Sequence, residues 1–84
     1  MNSKNTLYDQ MVEVTADYLG PAADRFIDRQ IQSHLGKKPE EITRKDITTL
    51  ISWSKLAMAL LTSDNAIVDE FTDRLHALST VSRR

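Results

Sequence analysis

The sequence of 84 residues contains no cysteine, only two glycines and two prolines, and few aromatic residues. Without cysteine, the chain has no disulfide framework, no thiolate nucleophile and no cysteine-ligated zinc. The longest apolar run, LAMALL at 56–61, is far shorter than the roughly 18 residues that a membrane-spanning helix needs. The first ten residues also lack the layout of a signal peptide. We therefore expect a cytoplasmic protein with no membrane contact.

Positive and negative charges nearly balance, and the formal net charge is −1. A chain so close to neutral has no overall electrostatic attraction to nucleic acid or anionic lipid. Its 40% hydrophobic and 27% charged residues are typical of a globular domain rather than a disordered segment. We predict a single domain over residues 1–84, with an ordered core at about 5–79 and a frayed basic tail at 80–84.

Apolar residues recur at helical spacing in four segments, which predicts an all-α bundle of about four short helices. The first helix is predicted to end at Gly20, where glycine can take the positive φ of a helix terminus. Pro21 suits the first turn of a second helix, which should run to about Leu35 and stop at Gly36. A last helix follows TSDN at 62–65, and on it Glu70 is placed to pair with Arg74.

The third predicted helix starts near Arg44, after a capping box formed by Thr43 and Asp46. Apolar or small residues form its main face: Ile47, Leu50, Ile51, Ser54, Ala57, Met58 and Leu61. A second apolar face carries Trp53, Leu56 and Leu60. A helix that is apolar on two faces is usually enclosed by its neighbours, so we expect this helix at the centre of the fold.

No arrangement of residues indicates catalysis. The chain has no glycine-rich phosphate loop and no carboxylate pair in an apolar setting. His34 and His76 lie far apart in sequence, and no serine is spaced to pair with either. We expect no enzymatic activity, no cofactor and no metal site.

Two charged clusters leave binding functions open. Asp9, Glu13 and Asp17 repeat every four residues, and such a carboxylate ridge is either a solvated face or a docking face for a basic partner. Basic residues cluster around the segment 37–45: Lys37, Lys38, Arg44 and Lys45. They would contact phosphates in a small DNA-associated regulator, although Glu40, Glu41 and Asp46 interrupt the cluster. The connection is also longer than the turn of a helix-turn-helix.

The second apolar face of the third helix predicts protein contacts. Trp53, Leu56 and Leu60 follow the i, i+3, i+7 spacing of a coiled-coil seam. One possibility is that the first and fourth helices cover these side chains. The other is that the three side chains bind a second copy of the chain or the helix of another protein. We favour a homodimer, because a domain this small buries little of its own surface.

The stretch ADYLGPAADRFIDR at 16–29 resembles the opening of a small helical accessory domain found in bacterial Ser/Thr kinase and regulator proteins. Its opening pattern, Tyr-Leu/Ile-Gly-Pro-x-Ala, is matched here by five residues: Tyr18, Leu19, Gly20, Pro21 and Ala23. Phe71 and Leu75 would match its end. The resemblance implies a helical module of signalling or regulation and carries over no catalytic residue. The connection KKPEEITRKD at 37–46 is longer than in that family.

Overall fold

The computed structural model describes residues 6–80. They form four α-helices: α1 (Leu7–Leu19), α2 (Ala23–His34), α3 (Arg44–Leu61) and α4 (Asn65–Ser79). Two 3-10 turns, Gly20–Ala22 and Pro39–Glu41, precede α2 and α3. No strand occurs between residues 6 and 80, and the all-α prediction is confirmed. Of the predicted basic tail, residues 81–84 lie outside the described part of the chain, as does residue 5 of the predicted core.

The corner between α1 and α2 depends on Gly20. Its φ of 61° and ψ of −136° are backbone angles that residues with a side chain rarely adopt. Its N–H donates to the carbonyl of Ala16 and closes the last turn of α1. Pro21 lies in the 3-10 turn, so α2 begins at Ala23, two residues after the predicted start. Gly36 also has a positive φ, 63°, and its N–H donates to the Ile31 carbonyl beyond the end of α2.

The start of α3 is held by the predicted capping box. The Thr43 hydroxyl accepts from the Asp46 N–H at 3.2 Å, and the Asp46 carboxylate accepts from the Thr43 N–H at 3.0 Å. Lys37 Nζ lies 2.7 Å from the same carboxylate oxygen. The Lys37 hydrogen bond is the main reason why the pKa of Asp46 is lowered in the folded chain.

The core lies where α4 packs against α1 and α3 and where α2 packs against the same two helices. At its centre the Phe71 ring meets Tyr18 and Phe26 edge to face, with centroids 5.7 and 6.2 Å apart. Each of the largest apolar core residues is at most 1% exposed: Met11, Ile27, Ile31, Ile47, Leu50, Met58, Phe71 and Leu75. Burial of these side chains is the main stabilising contribution to a domain of this size.

The prediction of a central, enclosed third helix is correct for most of the main face of α3 and wrong for Leu61 on that face and for the second apolar face. Ile47, Leu50, Ser54 and Met58 are buried, as predicted. Leu61, which was expected on the same face, is 60% exposed, because α2 leaves an open groove beside the last turn of α3.

Two arginines tie distant elements together. Arg74 on α4 pairs with Asp17 on α1 at 2.7 Å and also donates to the Tyr18 hydroxyl. Both contacts raise the pKa of Arg74, and the hydrogen bond to Tyr18 has the larger effect. The predicted pairing of Arg74 with Glu70 is replaced by this contact, and Glu70 accepts from the Tyr18 hydroxyl instead. Arg44 at the start of α3 donates to the carbonyls of Leu78 and Thr80 at the end of α4.

Replacing Gly20 with valine is expected to lower the free energy of unfolding by about 1–2 kcal/mol. A Cβ at this position would meet no atom within 4 Å, so the loss comes from the backbone angles rather than from a clash. Urea unfolding of both proteins measures it. The control is Ala16→Val, an exposed position of α1 with helical angles, which should cost only a few tenths of a kcal/mol. Equal losses in both variants would contradict the prediction.

The stabilising effect of Asp46 is expected to depend on pH. Because its pKa is lower in the folded chain, the stabilisation is complete above the ordinary value of 3.8 and declines as the pH falls through the folded value. Urea unfolding of wild type and Asp46→Asn should therefore show a stability difference that shrinks in acid. In a Lys37→Met background the total decline should be smaller and should end at a higher pH, because the folded-state pKa then lies closer to the ordinary value. A difference that stays constant down to about pH 2 would contradict this mechanism.

Candidate interaction surface

The second apolar face of α3 is exposed to solvent. We call Trp53, Leu56 and Leu60 the α3 stripe; these residues are 45%, 61% and 88% exposed. The alternative in which α1 and α4 cover these side chains is therefore wrong, because α3 buries a different face, formed by Ile47, Leu50, Ser54 and Met58, in its helix contacts. Large apolar side chains rarely gather on the free surface of a monomer unless they bind something.

The α3 stripe is also almost free of charge. Between Ile47 and Leu61 the only charged residue is Lys55. At about 100° per residue, Lys55 lies about 160° from Trp53 around the helix and points away from the stripe. A partner that covers the stripe would not have to bury a charge of α3.

Trp53 is held in place by a ring from α2. The His34 ring stacks on the indole with centroids 4.2 Å apart and planes 7° from parallel. His34 lies in the last turn of α2, which runs alongside α3. This pair joins residues 19 positions apart, and nothing in the sequence pattern indicated it. The stack fixes the orientation of the indole, and 45% of Trp53 remains exposed.

A groove opens where the start of α2 meets the end of α3. Its volume is about 480 Å³, and its lining is Leu19, Ala22, Arg25, Phe26, Arg29 and Leu61. The floor is apolar and the two arginines, one helical turn apart, are its charged residues. In the sequence each of these arginines directly follows an aspartate, Asp24 or Asp28, so the groove's charge is not evident from composition. A helical projection could have separated the arginines from Asp28, because Asp28 points toward α1.

Asp28 is bound by Tyr8 of α1, whose hydroxyl donates to its carboxylate at 2.7 Å. Burial and this hydrogen bond raise the pKa of Tyr8.

The predicted acidic ridge is not a free docking face along its whole length. Asp17 is engaged by Arg74, as described above. The Asp9 backbone lies in the capped first turn of α1, where its N–H donates to the Thr6 hydroxyl. Glu13 is exposed. The structure therefore keeps the ridge on one face of α1 but neutralises one end of it.

In the described part of the chain, only some of the four predicted nucleic-acid contacts are free of intramolecular partners. Lys37 pairs with Asp46, and Arg44 is bound to carbonyls at the end of α4. Lys38 and Lys45 are exposed, but Lys38 lies beside the acidic turn Pro39–Glu41. Two of the four basic side chains thus serve the fold, which leaves a small basic surface for a phosphate backbone.

Within residues 6–80, no three histidine or acidic side chains come together in a way that could hold a metal ion. In the same range, no helix is both long enough and apolar enough to cross a bilayer. Comparison of the chain with protein-family models, with curated proteins and with solved structures gave no match.

Replacing His34 with alanine is expected to expose the stacked side of Trp53. Trp53 is the only tryptophan, so its fluorescence reports this site alone. We expect red-shifted emission and stronger quenching by acrylamide in His34→Ala. His76→Ala, which removes an exposed imidazole on α4, is the matched control and should leave both quantities unchanged. Identical quenching in the two variants would contradict the stack.

Proposed function

We propose that this chain is a non-catalytic helical interaction module of the cytoplasm that acts as a homodimer in bacterial signalling or regulation. The exposure of the α3 stripe carries the proposal. Full burial of an exposed apolar side chain contributes about 1.5–3 kcal/mol, and the partly covered Trp53 and Leu56 would contribute a corresponding fraction of that. A domain with a typical stability of about 5–15 kcal/mol gains substantially from covering them.

A second copy is the partner that this surface suits best. In a two-fold dimer the same patch faces itself, so a charge near the axis would meet an identical charge and be repelled. The stripe avoids that cost, because Lys55 points away from it. Its i, i+3, i+7 spacing would let two α3 helices pack side by side along a continuous seam.

The assignment to signalling or regulation has separate support. The stretch around Gly20 and Pro21 resembles a bacterial accessory domain. The positive φ of Gly20 explains why glycine is suited to that position of the pattern. The alternative, a DNA-associated regulator using the segment 37–45, has weaker support, because Lys37 and Arg44 are held in intramolecular contacts.

Sedimentation equilibrium at micromolar concentration tests the dimer. We expect the wild type to dimerise and Leu56→Glu to raise the dimer dissociation constant about a hundredfold or more, because it would bury unpaired charge at the seam. The variant should remain helical by circular dichroism, since Leu56 is already 61% exposed.

Thr48→Glu is the matched control for the dimer. Thr48 is exposed on α3 but lies about 140° from Trp53 around the helix, outside the stripe. It should leave the dissociation constant nearly unchanged. A wild type that stays monomeric over the whole range, or a dimer that both glutamates weaken equally, would refute the proposed interface.

A further inference from the structure

We propose that the groove between α2 and α3 binds an acidic amphipathic helix from another protein. The groove is the one described above, with Leu19, Ala22, Phe26 and Leu61 as its apolar lining and Arg25 and Arg29 as its charged residues. The site goes beyond the proposed dimer, because it uses a different side of α3 and a different class of partner.

The two arginines differ from the others that the structure describes. Arg44 and Arg74 are engaged by carbonyls, a hydroxyl and a carboxylate of distant elements. Within residues 6–80, the guanidinium groups of Arg25 and Arg29 make no ion pair with this chain. The groove therefore concentrates positive charge on a chain whose net charge is −1. This local excess of positive charge is complementary to carboxylates on a partner.

The spacing of the arginines favours a helical partner. Arg25 and Arg29 are four residues apart on α2, so their Cα atoms are separated by about 6 Å along the helix axis. A helix laid along α2 would present glutamates four residues apart at the same interval. Its apolar side chains, also repeating every three or four residues, would enter the groove between them.

The lining argues against the other anionic partners. A phosphate backbone offers no apolar group for Leu19, Phe26 and Leu61 to bury. A lipid surface is flat on this scale, whereas the groove is a concavity of about 480 Å³ that single protruding side chains can fill. An amphipathic helix supplies both the apolar side chains and the carboxylates.

A phage-displayed library of 16-residue helices, panned on the full wild-type chain, tests the proposal. In each library member the apolar stripe is kept and the flanking positions vary among Glu, Gln and Lys in equal parts. We expect enrichment of Glu at two flanking positions four residues apart. A selected peptide is then synthesised with a fluorophore, and its binding is measured by anisotropy.

Arg25→Glu/Arg29→Glu should weaken that peptide at least about tenfold, because two attractive pairs become repulsive. Exchange of its two glutamates for lysines should restore binding to the double variant. Lys38→Glu/Lys45→Glu, with the same change in net charge at exposed sites elsewhere, should bind the peptide like the wild type. All three proteins should have the same circular dichroism, since the changed side chains are exposed.

The Leu56→Glu variant separates this proposal from the dimer. It should still bind the peptide, whether or not the wild type dimerises. Selection of no peptide, no preference for Glu over Gln and Lys, or equal binding to the Arg25→Glu/Arg29→Glu variant would overturn the proposal. Binding of the wild type to phosphatidylglycerol vesicles, lost in that variant, in place of peptide binding would overturn it in favour of a lipid surface.

Discussion

The edge-to-face contacts of Phe71 with Tyr18 and Phe26 are the interaction on which the arrangement of the helices depends. Phe71 projects from α4, and the other two rings come from α1 and α2 on either side of the Gly20 corner. Both rings can reach Phe71 because the positive φ of Gly20 turns the chain sharply between them. The Arg74 contacts to Asp17 and Tyr18 hold the same α1–α4 pair from the surface side.

The position of α3 follows from this arrangement. With α1, α2 and α4 gathered around Phe71, α3 packs mainly on α4 and partly on α2, and α1 is turned away from it. Four helices of 12–18 residues then cover one face of α3 and leave Trp53, Leu56 and Leu60 in solvent. In such a small domain the surface is large relative to the core, so a helix with two apolar faces is hard to enclose within one chain.

Local features were predictable from sequence because each depends on a few adjacent residues. The Thr43–Asp46 capping box, the positive φ of Gly20 and the apolar core face of α3 all follow from short patterns. The partners of surface side chains were not predictable in this way. Arg74 reaches Asp17 rather than Glu70, and His34 reaches Trp53, because helix packing decides which side chains meet. For the same reason the exposure of Leu61 and the groove beside it could not be read from the periodicity of α3, which places Leu61 on the core face.

The two proposed sites share the last turn of α3 but face different directions. Leu60 belongs to the α3 stripe and Leu61 to the groove, and neighbouring helix positions point about 100° apart. A packed helix is about 10–12 Å across, which is comparable to the distance around α3 between these two side chains. A second α3 on the stripe and an acidic helix in the groove would therefore lie side by side rather than far apart. Contact between the two occupants would couple dimerisation to partner binding, with a sign set by whether their touching surfaces attract or clash.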